Sequence, residues 1–456
     1  LANEGALFRA NFCANSICSP SRATVLTGKH SHLNGVTKWQ RFDGSQFTFP
    51  KALHASGYTT ALYGKWHLGS DPTGFDDWAI YPGQGSYYNP DYLTPGGKKR
   101  VQGYSVDLTT EMSIDFMKRS RDSGKPFLLM CQFKAPHRTW QPGPSELSLY
   151  RNARFAEPEN LFDNYQGRAG PAAKHLMGIG KHMRMDYDLK YPIEQIFERN
   201  RMTPQQFQSL ADTYRTENDQ FAANPPQGQD LVRWKYQRYL RDYLRCIAAI
   251  DRNVGRLLDY LDEADLAKDT IVVYSSDQGF FLGEHGWFDK RWMYEESFRM
   301  PLMIRWPKVV QPGTRIDRLT QNIDFAPTFL TAAGLDVPSE VQGRSLLPLM
   351  RSGKDRVEDT SRWRDSIYYH YYDGPGEHGV AKHYGIRTER YKLIRYYSDR
   401  DDTWELFDLK EDPQEMKSLY DNPDFREIRE KLKKRLDELK ASYQNRIFTE
   451  ADEAGL

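Results

Sequence analysis

Residues 18–29 read CSPSRATVLTGK, a loop that turns into a helix. Pro20 would lie in the first turn of that helix, where its missing N–H costs little. Cys18 would then stand at the helix N-terminus, where the helix dipole favours a thiolate or another anion. Arg22 follows one turn later on the same face. The stretch predicts either an anion-binding helix start with a reactive cysteine or a buried cysteine beside a structural arginine.

Two motifs place basic side chains at the ends of predicted strands. Residues 64–69 read GKWHLG and carry Lys65 and His67 after a short apolar strand. A lysine can neutralise an anionic substrate oxygen, and a histidine can exchange a proton. His137 follows the buried strand 127–133, at the edge where open α/β sheets bind ligands. Taken singly, Lys65 and His67 each favour a structural role, and His137 alone is weak evidence for a site.

Hard oxygen ligands follow another predicted strand, 270–275. Asp277 and Gln278 come directly after it, and their oxygens suit Ca²⁺ or Mg²⁺ at a strand end. The alternative is an Asx-type turn closed by Gly279. The sequence therefore suggests part of a metal site at this position.

Composition excludes several classes of protein. The chain has 456 residues and a net charge of +1, so its global charge does not predict a nucleic acid or an anionic membrane as partner. Its mean hydropathy is −0.76, and without a long apolar run it has no membrane span. The four cysteines are too few for a disulfide scaffold.

The element pattern predicts an α/β fold in two domains. A helix over 230–265 and several buried strands belong to a large domain, whereas 135–228 reads as an irregular insertion of the functional kind. After a composition shift near 355, alternating Tyr and Arg residues predict antiparallel strands, followed by an amphipathic helix over 424–443. We expect domains at 1–355 and 356–456.

The motif at 18–29 resembles the signature of the type I sulfatases, and 64–69 resembles the second signature of that family. The matching motifs run in family order along nearly the whole chain. The resemblance implies an alkaline-phosphatase-like large domain, with a central mixed sheet flanked by helices. It also implies a smaller C-terminal domain with an antiparallel sheet and a helix. The implied activity is hydrolysis of sulfate esters by formylglycine, which a maturase makes from Cys18 before folding.

The resemblance also assigns roles to the motif residues. In such an enzyme a metal, Ca²⁺ rather than Mg²⁺, and Arg22 hold the hydrated formylglycine, and His67 and His137 move protons. Lys65 and Lys290 bind the sulfate, and His285 lies near it. Asp277 and Gln278 form half of the metal site.

The substrate implied by the resemblance is a sulfated sugar. Residues 283–307 and 368–395 look like bacterial glycan sulfatases, including those that act on 6-sulfated N-acetylglucosamine. Such enzymes are exported, which implies a periplasmic or secreted protein. Four loop or strand-end residues are candidates for the sugar pocket, or else ordinary surface positions: Trp140, His378, His383 and Arg387.

One family feature is not found in this sequence. Family members begin with a strand ending in an Asp-Asp pair, the other half of the metal site, and we expect this strand to be missing here. Asp76-Asp77 follows a predicted loop and is no substitute. Two other functions stay open: a phosphatase or phosphonate hydrolase of the same superfamily, and a non-catalytic glycan-binding remnant.

Overall fold

The computed structural model describes residues 1–351, 363–397 and 402–443. Its strands are β1 (Ala6–Phe8), β2 (Asn11–Phe12), β3 (Thr59–Gly64), β4 (Asp77–Ile80), β5 (Asp91–Thr94), β6 (Gly97–Arg100), β7 (Phe127–Gln132), β8 (Val272–Ser275), β9 (Phe281–Leu282), β10 (Phe288–Asp289), β11 (Leu302–Arg305), β12 (Thr314–Ile316), β13 (Thr320–Gln321), β14 (Ser366–Tyr371), β15 (His383–Thr388), β16 (Tyr391–Tyr397) and β17 (Asp402–Asp408). Its helices are α1 (Cys18–Thr27), α2 (Ser31–Asn34), α3 (Phe49–Ala55), α4 (Ser105–Ser123), α5 (Gly170–Ala173), α6 (Ile179–His182), α7 (Pro204–Ala223), α8 (Gly228–Glu263), α9 (Glu295–Phe298), α10 (Phe325–Ala332), α11 (Leu347–Met350) and α12 (Arg426–Ser442).

Two sheets form the larger part of the molecule. In the first, β3 pairs in parallel with β4 and β7, and β5 and β6 extend it by antiparallel pairing. In the second, the order is β12-β1-β11-β8, with a parallel β1–β12 pair and antiparallel pairs elsewhere. Helices α4 and α8 pack on each other, and α4 also packs on β3 and β7. The larger part is thus a mixed α/β structure, as predicted.

A cavity separates the two sheets on one side. Strand β7 ends the first sheet and strand β8 ends the second, so each has one edge without a partner among the described strands. Both strands line the same cavity of about 1060 Å³, together with apolar residues of α8. The carboxyl ends of both strands open into one end of it. Arg22, Lys65, His137, Asp277 and Lys290 lie at that end.

The C-terminal part is an antiparallel meander, β14-β15-β16-β17, covered by α12. Leu432, Leu436 and Leu439 are buried on one face of α12, and they pack against apolar residues of the sheet. Their spacing follows the helical period, so one stripe of the helix faces the strands. The sheet also reaches the larger part, because the amide of His370 donates to the carbonyl of Ala14 at 3.1 Å.

The structure confirms the predicted fold class and changes one detail of it. Residues 135–228 are not irregular throughout, because α7 crosses them between Pro204 and Ala223. Thr203 and Gln206 form a reciprocal capping box at its start, which satisfies backbone donors that the helix leaves free. The expected domain boundary near 355 lies outside the described residues, and the division into two domains stays a prediction. None of the described helices has the length and apolarity that a bilayer crossing requires.

Candidate active site

Helix α1 presents Cys18 at its first position. Ile17 precedes the helix and offers no side-chain cap, so the amides of the first turn have no side-chain acceptor there. Gly28 ends the helix in the left-handed conformation, at φ 66°, and donates back to Thr24. The Cys18 side chain is 1% exposed. A helix start with free amides favours a negative charge at this buried position.

Arg22 lies one turn along α1 and connects three chain segments. Its Nε donates to Asp277 Oδ2 at 2.9 Å, after β8. Its Nη1 donates to Gln132 Oε1 at 2.6 Å, at the end of β7, and also to the carbonyl of Lys65. The guanidinium therefore fixes α1 against the ends of β3, β7 and β8, where the predicted motifs meet.

Two histidines hydrogen-bond the Cys18 side chain, His67 and His137. Ser19 Oγ donates to the His67 carbonyl at 2.6 Å and lies 3.3 Å from its Nδ1. His137 Nδ1 lies 2.8 Å from the carbonyl of Arg138, which can only accept, so Nδ1 carries the proton. The structure thus brings together the three residues that the sequence motifs proposed for proton and nucleophile chemistry.

The charges around Cys18 favour an anion. Burial raises the pKa of the Cys18 thiol, but the charges of Lys290 and Lys65 and the hydrogen bonds of His137 and His67 together outweigh it. The net pKa of the thiol lies well below its ordinary value, with the two histidines contributing hydrogen bonds. Burial lowers the pKa of His67, and it lowers the pKa of His137 well below its ordinary value. Both rings are therefore neutral at neutral pH in the free protein.

The two lysines differ in their partners. Burial lowers the pKa of Lys65 to about 8, and the positive charge of Arg22 opposes its protonation further. Lys290 is equally buried, but Asp289 lies 3.1 Å from its Nζ and raises its pKa. Asp289 also accepts from Arg291 at 2.9 Å and lies 3.0 Å from His378 Nε2. Lys290 thus holds its proton more strongly than an ordinary lysine, whereas Lys65 titrates in the mildly alkaline range.

The predicted metal ligands lie at the end of β8, but they are few. Gln278 Oε1 is shielded from solvent and has no hydrogen-bond partner among the described residues, which is compatible with a role as a metal ligand. The Asp277 carboxylate already binds Arg22. The part of the chain that the structure describes holds no cluster of three or more Asp, Glu, His or Cys side chains around a common point. Because Ca²⁺ takes about six oxygens or more, these residues do not make a complete metal site.

The predicted sugar-pocket residues fall into two groups. Only 8% of the His378 side chain is exposed, and its Nε2 lies 3.0 Å from Asp289, the partner of Lys290. Trp140, His285 and His383 are each 0% exposed, and their rings pack against those of Tyr239, Tyr294 and Trp292. His285 Nδ1 lies 3.1 Å from Asp163 Oδ2. The structure thus surrounds these three with packed aromatic side chains, and their assignment to the substrate site stays a prediction.

Arg387 has a partner elsewhere in the protein. Its Nη2 lies 3.2 Å from Glu295 Oε2, and its guanidinium lies over the ring of Phe12. Only 11% of its side chain is exposed. The arginine joins β15 to α9, which is a structural role in this arrangement.

Lys134 is a buried cation near the thiol that the sequence analysis did not single out. It lies just after β7, and Cys18 raises its pKa although burial lowers it overall. Its Nζ lies 5.0 Å from the ring centre of Tyr87, whose hydroxyl donates to the His137 carbonyl at 2.5 Å. Its position three residues before His137, at the carboxyl end of a predicted strand, is the sequence signal that could have identified it.

Known proteins resemble this chain over most of its length. Residues 1–335 match the family described as Sulfatase, and residues 283–442 match the one described as N-sulphoglucosamine sulphohydrolase, C-terminal. The chain is 44% identical to the N-acetylglucosamine-6-O-sulfatase of Bacteroides thetaiotaomicron, over 98% of this chain and 81% of that protein. It is 27% identical to the human N-acetylglucosamine-6-sulfatase, over 81% of this chain and 62% of that protein.

Solved structures show the same fold. A protein in complex with its substrate D-glucosamine-2-N,6-O-disulfate superposes with a TM-score of 0.93 at 43% identity, over 98% of this chain and 92% of that one. A phosphonate monoester hydrolase from Silicibacter pomeroyi superposes with a TM-score of 0.70 at 19% identity, over 96% of this chain and 89% of that one. The second likeness concerns the fold alone. The expected alkaline-phosphatase-like architecture is confirmed.

Proposed function

This chain belongs to the sulfatase family of sulfuric ester hydrolases, and we propose that its substrate is a 6-sulfated N-acetylglucosamine or glucosamine residue of a glycan. The names of the Bacteroides and human relatives support the position of the sulfate. The substrate of the solved complex, a 6-O-sulfated glucosamine, supports the sugar. A glycosaminoglycan sulfate belongs to the same class of substrate.

The observation that carries the proposal is the surroundings of Cys18. A side chain that is 1% exposed sits at a helix start, with His67 and His137 as hydrogen-bond partners and with Lys65 and Lys290 close enough to lower its pKa. This is a site for an anionic group held between cations, with two bases next to the nucleophile. A sulfate ester supplies the anionic group.

The family generally uses a formylglycine, and we propose that a maturase makes it from Cys18. When hydrated, formylglycine supplies one hydroxyl that attacks sulfur and a second that lets the sulfated adduct collapse by elimination. Because Cys18 is 1% exposed in the folded protein, a maturase reaches it only before folding. The aldehyde would take the place of the Sγ atom described above.

The side chains around the nucleophile supply charge and protons. Lys65 and Lys290 bind the sulfate oxygens and stabilise the charge that develops on them. His137 gives a proton to the departing alcohol oxygen, since a bound anion raises the pKa of a neighbouring imidazole. His67 takes a proton from the remaining hydroxyl as sulfate leaves. Arg22 orients the nucleophile through the contacts of α1.

The family also uses a divalent metal. We propose Ca²⁺ for this chain rather than Mg²⁺, because Asp277 and Gln278 offer a carboxylate and an amide oxygen of the kind that Ca²⁺ accepts. The described residues supply only part of the ligands that the ion needs. The roles in binding sulfate and moving protons are therefore assigned to the protein side chains alone. Export to the periplasm or beyond, and the absence of a nucleic-acid partner, remain expectations of the sequence analysis.

The test is sulfate release by the matured enzyme from N-acetylglucosamine 6-sulfate, with the matched 6-phosphate in parallel. We expect turnover of the sulfate ester at least about 100-fold above that of the phosphate ester, and none by Cys18→Ala. Cys131→Ala is the matched control, because the Cys131 side chain on β7 hydrogen-bonds Ser113 of α4. Preference for the phosphate ester, or full activity of Cys18→Ala, would refute the proposal.

A further inference from the structure

We propose that Trp39 is the platform on which the pyranose ring of the sulfated sugar stacks. The inference rests on the proposed function and adds a specificity-determining residue to it. Trp39 was not among the residues that the sequence motifs suggested, because it lies between two of them in a loop.

The position of Trp39 combines exposure with closeness to the nucleophile. Its side chain is 47% exposed, and its ring centre lies 5.6 Å from that of His67, with 60° between the planes. His67 in turn hydrogen-bonds Cys18. Other exposed aromatic residues of the described chain, such as Phe162 and Phe197, have no ring contact with either histidine of the site. Trp39 is therefore an open aromatic face one residue away from the reacting group.

The loop that carries Trp39 is braced by its own side chains. Gln40 Oε1 accepts from the amides of Thr37 and Lys38 at 3.1 and 2.7 Å, and its Nε2 donates to Thr37 Oγ1 at 3.0 Å. Asn15, three residues before Cys18, donates to the Thr37 carbonyl at 3.4 Å. These bonds hold the loop backbone before a ligand arrives, so less conformational entropy is lost from the loop when one binds.

The chemistry of an exposed indole selects the ligand. A large apolar surface exposed to water is a feature of binding sites. The quadrupole of the indole ring attracts the positively polarised C–H groups on one face of a pyranose. Lys38 and Arg41, on either side of the loop, add positive charge near the path of a sulfated glycan. Lys65 and Lys290 would hold the sulfate while Trp39 holds the ring that carries it.

The experiment compares Trp39→Ala and Trp39→Phe with the wild-type matured enzyme. For Trp39→Ala we expect KM for N-acetylglucosamine 6-sulfate to rise about 5- to 20-fold with kcat within about twofold, and Trp39→Phe to recover most of the loss. The inhibition constant of inorganic sulfate should stay unchanged, because sulfate needs only the lysines. Phe162→Ala, at a position 38% exposed, is the control and should behave like the wild type.

Each outcome has one meaning. An unchanged KM would overturn the proposal. A fall in kcat together with weaker inhibition by sulfate would also overturn it, because Trp39 would then serve to hold His67 in place. If the wild type does not hydrolyse the sugar sulfate, the proposed function fails, and the platform is then tested by calorimetric binding of N-acetylglucosamine. Weaker binding of that sugar by Trp39→Ala supports the platform, whereas equal binding rejects it.

Discussion

Arg22 Nε and Asp277 Oδ2 lie 2.9 Å apart although 255 positions separate the two residues in the chain. The pair is largely buried, with 13% and 17% of the side chains exposed. It joins the nucleophile helix to the strand end that carries the predicted metal ligands. A planar guanidinium with several directed donors makes this connection, and a lysine cannot reproduce it.

Arg22→Lys should therefore damage both activity and stability. We expect kcat/KM to fall about 100-fold or more and the free energy of unfolding to fall by about 1–3 kcal/mol, because three acceptors lose their donor. Kinetics and urea unfolding measure the two effects. Arg9→Lys is the control, since Arg9 pairs with Asp317 on the exposed surface, where such a pair contributes little. An active and stable Arg22→Lys enzyme would show that α1 is positioned by other contacts.

The pH dependence of kcat/KM should contain an alkaline limb set by Lys65. Its pKa is lowered to about 8, so the ammonium that binds sulfate is present below that pH and is lost above it. Maturation replaces the thiol, whose anion raises this pKa, so the midpoint lies at about 8 or slightly lower. A profile of kcat/KM from pH 6 to 10 measures it. In Lys65→Arg the limb should move beyond pH 10; a limb that does not move belongs to another group.

His137→Ala should affect poor leaving groups more than good ones. We expect a loss of about 100- to 10,000-fold on a sugar sulfate, whose alcohol needs a proton to leave. On an aryl sulfate, whose phenolate leaves without help, the loss should be about tenfold or less. Steady-state kinetics on the two esters give the ratio. Equal losses on both would mean that His137 binds the sulfate and does not protonate the alcohol.

His285→Ala should weaken the fold and leave the chemistry intact. The ring is 0% exposed, lies 3.1 Å from Asp163 and stacks on Tyr294. Its removal leaves a cavity and a buried carboxylate with one partner fewer, so we expect a loss of about 2–4 kcal/mol in unfolding free energy. KM of the folded enzyme should not change. The exposed His54 gives the control variant His54→Ala; a raised KM with normal stability would return His285 to the substrate site.

Gln278→Leu tests whether the unpartnered amide oxygen binds a cation. Ca²⁺ should raise the melting temperature of the wild type, because an ion that binds only the folded state stabilises it. The leucine variant lacks the ligand and should show a smaller rise. Thermal unfolding with Ca²⁺ and with chelator measures this without reference to activity. Gln208→Leu, at an exposed position of α7, should respond like the wild type; an equal response of Gln278→Leu would exclude that residue as a ligand.

The sequence was most informative where a motif sits at the end of a regular element. Cys18 stands at a predicted helix start, and Lys65 and His137 each follow a short apolar strand. Chain direction alone places residues that follow parallel strands at one edge of a sheet. The helix α7 was missed although Thr203 and Gln206 form a capping box there, because the surrounding Pro, Gly and Asn residues masked its apolar period.

The direction of individual side chains could not be predicted from the sequence. Trp140, His285 and His383 lie in or near matching motifs, yet each points into the core. Two of them, Trp140 and His285, have positive φ values of 51° and 55°, and neither helix nor strand periodicity gives the direction of a side chain in such a backbone. Trp39 was overlooked for the opposite reason, since nothing in a loop sequence shows that its indole stays exposed beside a histidine 28 positions later.

The contacts of Arg22 have a consequence for how the site assembles. The guanidinium binds acceptors after β3, at the end of β7 and after β8, which lie 43, 110 and 255 positions away along the chain. The chain must close long loops before such distant partners meet. The cation-lined pocket is therefore a property of the completed fold, and a partly folded chain presents Cys18 without it.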